Sequence, residues 1–482
     1  LKHKFIFTFS LLVLLGFFLR LYGINFSNFW WDEMLGFWTA DPNILFNETY
    51  ERHMNYDYTS LIFHLIMKYF YAIYGYTPEY GRYVNLFFGI ISIPLMGYLA
   101  NQISSNQLTV YLTLFFTSFN IFLIEYSQES RVYMLTFLFS ILNIIFFYKI
   151  ISQNKKNFII YLLFILISLS CLLLSPFTII IVFSQMLFSL YTFIFDNVRR
   201  KDILLCLFIS VLLYCTINFN FIHSVLLSIN EITPKTSITN LNFLSHFFFH
   251  NFFGSKLMGL IFLISFVSLI LFNLKKIFQR NSRYIFLIIM VLMSYLIPII
   301  FYFLGNAIFH DRYIIIVLIS IIVLLSSLPF ELNNQKLRNT IIFVMVLSIF
   351  TNSLFELNGI RNSSKPNINS AFTDINMSQE NNFTLYINKD KIVGYKDNKE
   401  VKVDNETMNI LINYFTATKL YNEYDLKLNS FEQINNFRKI WVMCYEPLSG
   451  KCDYKKFINR KYKELKSINY NSIEINLIGF TD

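Results

Sequence analysis

Asp32 and Glu33, directly behind Trp30 and Trp31, place two carboxylates side by side at the edge of an apolar run. Ionisable groups set among apolar residues are costly to keep, which makes such positions candidates for function. One carboxylate of the pair suits a general base and its neighbour suits tuning that base or orienting an acceptor; the plainer alternative is a solvated loop whose Asp caps the next helix. Further on, Glu-Tyr-Ser-Gln-Glu-Ser-Arg-Val-Tyr at 125–133 brings together Glu129, Arg131 and Tyr133. A guanidinium fork matches phosphate or carboxylate, and an internal ion pair is the competing reading. His310-Asp311-Arg312-Tyr313 adds another arginine, suited to a lipid phosphate or to snorkelling. Asp57 is a fourth isolated charge. His246 and His250 have the i, i+4 spacing of a metal pair without an acidic partner, and His64 reads as a satisfied polar group.

The elements that must hold these groups are mostly apolar helices. Only 15% of the 482 residues are charged, 55% are hydrophobic, and Phe and Tyr number 56 and 31. A soluble chain averages about 25% charge, so a fully soluble enzyme is excluded. A bilayer core needs about 20 apolar residues per helix. Such stretches lie near 5–22, 83–101, 107–125, 132–150, 158–174, 177–195, 203–222, 257–274, 284–303, 313–330 and 339–355, eleven in all. The first follows Lys2 and Lys4 without a small-residue cleavage site and reads as an uncleaved anchor. With the N-terminus inside, 14 of the 22 basic residues before position 357 fall in inner connections, as the positive-inside rule requires. All four charged clusters then fall on the outer face.

Two outer loops are long. In the first, 23–82, Leu61, Ile62, Leu65, Ile66, Tyr69 and Ile73 repeat at helical spacing and predict an interfacial helix over 59–74. The second, 223–253, ends in an aromatic run that also suits the interface. Half of the 30 acidic residues lie after position 356, marking a membrane domain over 1–356 and a polar outer domain over 357–482, with a linker near 362–369. The polar part reads as a small α/β domain, with strands at 383–387, 440–445 and 473–478 and helices at 406–420 and 454–465. Cys444 and Cys452, outside and in an oxidising compartment, form a structural disulfide. The net charge of +10 is a membrane signature: no basic patch with exposed aromatics on the polar domain suggests nucleic acid.

At this point the chain resembles the polytopic GT-C glycosyltransferases that use polyprenyl-phosphate sugars, a group including protein O-mannosyltransferases and the lipid A aminoarabinose and lipopolysaccharide core sugar transferases. Trp31-Asp32-Glu33 resembles the family's first-loop Asp-Glu motif. Gly81 to Gly89, with Arg82, is similar to its start of span two, and Tyr126 to Tyr133 looks like its Tyr-Ser-Gln-Glu segment. Asp311-Arg312-Tyr313 resembles its Arg-Tyr motif, and Lys439-Ile440-Trp441-Val442 the start of a strand in the outer domain of many bacterial members. Where members often carry Pro-Pro-Leu this chain has Thr59-Ser60-Leu61, and it has Ser175-Pro176-Phe177 where many have a His-Tyr pair.

The resemblance implies an inverting transfer at the outer face of the membrane. Asp32 would deprotonate the acceptor hydroxyl, and Glu33 and Glu129 would orient substrate. Arg312, with Arg131 and Arg82, would neutralise the departing lipid phosphate, and Tyr133, His310, Asp311 and Tyr313 would line the substrate site. A divalent metal is compatible with the carboxylates but not required, and no cofactor is expected. The Lys/Asn-rich composition suggests an AT-rich bacterial genome, hence undecaprenyl phosphate as carrier in the inner membrane and an envelope glycan, glycolipid or protein as acceptor. The rivals are a transporter or flippase of lipid-linked sugars, which would carry paired repeats and midplane charges, and a membrane sensor with an outer ligand-binding domain.

Overall fold

The computed structural model describes residues 2–480 except 26, 58, 153–156, 196–200, 220–248, 281, 304–309, 362–364, 379, 397–398, 403–404, 419–426, 430 and 457–461. The chain divides into two compact units, Leu1–Tyr22 with Tyr83–Ile360, and Gly23–Arg82 with Arg361–Asp482. The loop 23–82 therefore belongs to the same unit as the C-terminal residues.

The first unit is helical. Pro78–Ile103, which belongs to this unit from Tyr83 onward, Tyr133–Ser152, Pro176–Phe193, Lys256–Phe278, Arg283–Phe301 and Gln335–Leu357 are each long and apolar enough to cross a bilayer. Gln107–Phe119 and Ile121–Ser127, bent by 56°, make a seventh span if taken together. The other four stretches expected to span are helices in the described residues, with apolar runs of at most 17 residues. Phe5–Leu21, Phe158–Leu174 and Val317–Glu331 are apolar, and Lys201–Ile217 starts on a charged pair, Lys201-Asp202. Seventeen residues, as in Phe158–Leu174, reach about 25 Å, roughly a turn less than a ~30 Å hydrocarbon core.

Helices apolar on all sides belong either inside or against lipid, and both occur. Every residue of Val317–Ser327 is buried, whereas Phe7, Phe158, Ile159 and Phe355 are more than 60% exposed. Polar side chains within the bundle pair across helices, as expected where no water competes. Asn143 donates to Ser168 Oγ at 2.7 Å and accepts from Gln185 Nε2 at 2.6 Å, tying three helices together.

The bend has a definable cause. A break leaves the last carbonyls of one helix and the first amides of the next without partners. Asn120 caps the second helix, its Oδ1 accepting from Leu123 N at 3.0 Å. The fully buried Arg20 donates to the carbonyls of Thr117 (2.8 Å) and Ser118 (3.1 Å), and its Nε donates to Ser127 Oγ at 3.2 Å. Gly89 leaves room for this arrangement: a Cβ there would collide with Ser127 and stand 3.3 Å from Arg20 Nε.

In the second unit, strands β1 (Asn382–Tyr386), β4 (Lys427–Asn429), β5 (Lys439–Tyr445), β6 (Tyr462–Tyr470) and β7 (Ile473–Phe480) form a sheet ordered β4-β1-β5-β7-β6, and β2 (Ile392–Lys396) and β3 (Lys399–Lys402) pair separately. β1 runs parallel to β4 and β5, while β7 is antiparallel to β5 and β6. Central β5 buries six consecutive residues, Ile440 to Tyr445. Alternation sends Ile440, Val442 and Cys444 to one core with Tyr386, Tyr454 and Ile478. Helix Ile368–Met377 buries Ile368, Ala371, Phe372 and Ile375, one stripe at helical period. Phe372 meets Phe383 and, at 5.0 Å between centroids, Phe415 of helix Asn405–Ala417.

Leu61–Tyr74 is a helix started by Ser60, whose Oγ accepts from Phe63 N at 3.3 Å. Cys444 and Cys452 are joined by a disulfide. The helix expected over 454–465 is not formed: Tyr454–Lys456 is a single 3-10 turn, and Tyr462 already begins β6. Its pattern of Lys and Glu suits an exposed edge strand, and pairing with β7 outweighs helical propensity there. Residues 362–364, part of the expected linker, lie outside the described residues, as do His246 and most of the loop at 223–253.

Candidate active site

Asp32 and Glu33 occupy the first turn of helix Trp31–Thr39, where the positive end of the helix dipole favours carboxylates. Glu33 points into the second unit and is fully buried. A buried carboxylate must be paired and hydrogen-bonded, and Glu33 is. Arg82 grips both its oxygens, Nε to Oε1 at 3.2 Å and Nη2 to Oε2 at 3.1 Å, and Lys365 Nζ lies 3.4 Å from Oε2. Its Oε2 also receives the Trp30 N–H at 3.5 Å, half of a capping box. Arg82 is held in turn by the carbonyls of Ile24 (2.9 Å), Ser27 (2.7 Å) and Asn28 (3.3 Å) and lies over the Phe29 ring.

Asp32 is only half-buried. Adjacent positions on a helix point about 100° apart, so the two carboxylates occupy different environments. Trp31 packs against Tyr445, their centroids 6.2 Å apart. Burial, reinforced by the charges of Asp32 and Glu33, pushes the Tyr445 hydroxyl well above its ordinary value and keeps it neutral. Phe29 stacks on Tyr414 at 5.4 Å, and the Tyr414 oxygen accepts from Phe29 N at 3.0 Å. Asn28 and Asn369 exchange hydrogen bonds at 3.1 Å. Tyr414, Tyr445, Lys365 and Asn369 carried no mark of this role in the sequence: isolated aromatic, amide and basic residues of a polar domain resemble any other surface or core positions.

Asp57, directly after helix Phe46–Tyr56 and four residues before Leu61, is nearly inaccessible. Its Oδ2 lies 3.1 Å from His64 Nε2, and its Oδ1 accepts from Thr59 Oγ1 at 2.8 Å. The His53 ring stands edge-on to His64 at 5.4 Å. Burial, then the neighbouring His64, lowers the His53 pKa to about 4.

The other candidates belong to the first unit. Glu129 and Arg131 are almost fully buried in the turn between Ile121–Ser127 and Tyr133–Ser152. Gln128 anchors that turn by donating to the carbonyls of Arg20 and Tyr22, both at 2.8 Å. Tyr133 lies 6.4 Å from Tyr313, and the Arg312 guanidinium sits 5.9 Å and 5.4 Å from these two rings. Phe177 stacks on Tyr313 at 4.5 Å, and His310 meets the same ring edge-on. Asp311 Oδ1 accepts from Arg312 N at 2.7 Å, shaping the short turn Asp311–Ile314. Within the first unit the tertiary structure thus brings 126–133 and 310–313 together around one arginine and a set of rings; within the second it joins Glu33 to Arg82. Among the described residues no three His, Cys, Asp or Glu side chains stand as a group able to hold a metal ion.

No family model matches the sequence, and no curated protein matches it. Solved structures do match the fold. ArnT from Cupriavidus metallidurans, in a crystal structure bound to undecaprenyl phosphate, superposes with a TM-score of 0.54 at 10% identity, over 99% of this chain and 98% of that one. Its apo form gives 0.54 at 9% identity over the same shares. The oligosaccharyltransferase of Archaeoglobus fulgidus, tethered to an acceptor peptide containing the NVT sequon, gives 0.53 at 10% identity over 92% of this chain and 69% of that one. Both are GT-C enzymes, and with six or seven apolar spans and a small C-terminal sheet domain this chain is a polytopic membrane protein of the GT-C glycosyltransferase fold.

Proposed function

We propose that the protein is an integral membrane glycosyltransferase that moves a sugar from a polyprenyl-phosphate monosaccharide, undecaprenyl phosphate being the carrier, to an envelope glycan, glycolipid or protein. The observation that carries this reading is the asymmetry of the two adjacent carboxylates. Glu33 is buried and neutralised by Arg82 and Lys365, whereas Asp32 beside it reaches the surface. A base must be accessible to the proton it takes, and the fixed Glu33 holds the helix turn on which Asp32 rides. Asp32 therefore acts as the base, its neighbours Glu33 and Arg82 as positioning residues.

In the other unit, Arg312 and Arg131 are the cations assigned to the donor phosphate, with Glu129, Tyr133, His310, Asp311 and Tyr313 shaping that region. Charge-assisted bonds from arginine to phosphate are among the strongest available to a protein. A monophosphate leaving group met this way needs no metal, and the proposed reaction uses none. Inversion follows from a single displacement at the anomeric carbon: the acceptor oxygen forms the new bond, its proton goes to Asp32, and the lipid phosphate leaves. The membrane is the bacterial inner membrane, with the N-terminus cytoplasmic and residues 361–482 periplasmic, an orientation supported by the excess of Lys and Arg in the inner connections.

The test is transfer of radiolabelled sugar from synthetic polyprenyl-phosphate monosaccharides to host envelope glycolipids, using purified wild type beside Asp32→Asn. Turnover by wild type and a loss of about 100-fold or more in the variant, with unchanged melting, is expected. Equal turnover would remove Asp32 as base. Flipping of the same lipids without transfer would turn the reading to a transporter.

A further inference from the structure

A second feature of the unit that carries Glu33 is a cavity of about 240 Å³ that the proposed chemistry does not use. Arg82, Phe29, Tyr414, Ser27, Glu79 and Asn369 are among the residues that line it. We infer that this cavity binds one neutral sugar ring.

Tyr414 lines the cavity. Its phenol is buried, and its oxygen accepts from Phe29 N at 3.0 Å and from Asn28 Nδ2 at 3.4 Å. A hydroxyl that accepts two hydrogen bonds still has one proton to give, and Tyr414 is one of the residues lining the cavity. Other lining residues repeat the pattern. Asn369 Oδ1 accepts from Asn28, which leaves its side-chain amide nitrogen as a donor, and Ser27, whose carbonyl accepts from Arg82, also lines the cavity. Glu79, an exposed lining residue, supplies an acceptor for ligand hydroxyls. Phe29 and Pro78 contribute apolar wall, which suits the C–H face of a pyranose.

Charge and size narrow the ligand. Arg82 is committed to the Glu33 carboxylate and three carbonyls, so no uncompensated cation awaits a phosphate, and an anionic ligand would meet Glu79. The volume lies below the roughly 300–1,000 Å³ of pockets that hold drug-sized ligands, which limits the guest to about one ring. Sites built to pair hydroxyls reject ligands lacking them, because their own polar groups would be left unpaired. Resting on the transferase reading, the bound ring belongs to the acceptor, since the donor carries the phosphate.

The experiment measures binding of neutral methyl glycosides, with a methyl glucuronide and inorganic phosphate as anionic probes, to the purified full-length protein by saturation-transfer NMR and calorimetry. Thr418 lies on the wall and its hydroxyl bonds only to carbonyls of its own helix, Tyr414 at 2.9 Å and Phe415 at 3.1 Å. Thr418→Trp fills the space, and Tyr414→Phe removes the buried donor. Expected are binding of at least one neutral glycoside to wild type, loss of tenfold or more in Thr418→Trp, and a weakening of about three- to tenfold in Tyr414→Phe, the worth of one neutral hydrogen bond. Absence of any neutral-glycoside binding at millimolar concentration, binding unaffected by Thr418→Trp, or stronger binding of the anionic probes would each overturn the inference. The assay involves no turnover, so a protein that fails to transfer sugar can still bind it here, and a transferase can fail here.

Discussion

At the scale of single residues, adjacent carboxylates acquire different environments from their surroundings. Asp32 and Glu33 are both carboxylic acids in sequence, and full burial against Arg82 and Lys365 sets Glu33 apart. Removing one partner of a buried ion pair strands the other charge at about 3–5 kcal/mol. Arg82→Met should therefore lower the melting temperature of the detergent-solubilised protein markedly, while Asp32→Asn should not; equal melting of the two variants would contradict the burial argument. His53 gives a pH signature. Its folded pKa, about 4, lies below the ordinary 6.5, so the unfolded chain binds the proton more readily. That contribution to stability is whole above about pH 6.5 and falls as pH drops toward 4, by at most about 3 kcal/mol. His53→Gln should flatten melting temperature over that window, and an unchanged slope would show that other groups set it. The Asp32-Glu33, Arg131 and Arg312 candidates were legible because charges in an apolar chain are conspicuous; Tyr414 and Lys365 were not, because they become informative only through what they touch.

At the scale of elements, the helices were readable from apolar runs, while the bend at Asn120 and the strand β6 were not. Gln107 to Ser127 is apolar enough throughout to read as one continuous span. What breaks it is a remote guanidinium that takes the carbonyls of Thr117 and Ser118. Arg20→Met should leave those buried carbonyls unsatisfied and cost about 2 kcal/mol or more, seen as a lower melting temperature and faster amide exchange near Asn120. An unperturbed variant would mean that Asn120 capping alone maintains the bend. β6 illustrates the converse case, in which a stretch with helical composition is drawn into a sheet because β7 offers it a full ladder.

At the scale of the whole chain, residues 23–82 and 361–482 form one unit although 278 residues lie between them, Tyr83–Ile360. Phe29 stacks on Tyr414, Tyr76 OH lies 2.9 Å from Asn413 Oδ1, and Lys365 meets Glu33. A chain ending at Ile360 should consequently expose 23–82 to limited proteolysis and lose whatever activity depends on Asp32, whereas the full chain resists cleavage there. Resistance of the shortened chain would show that 23–82 stands without these partners.

Composition and apolar periodicity by themselves determined that the chain is a helical membrane protein with a polar α/β end, since both follow from local chemistry repeated along the sequence. The pairing of Glu33 with Arg82 and Lys365, the packing of Phe29 on Tyr414 and of Trp31 on Tyr445, and the gathering of 126–133 with 310–313 were decided by tertiary structure alone. Each joins residues far apart in sequence, and the free energy that selects such contacts, burial of rings and neutralisation of buried charge, has no local pattern to announce it.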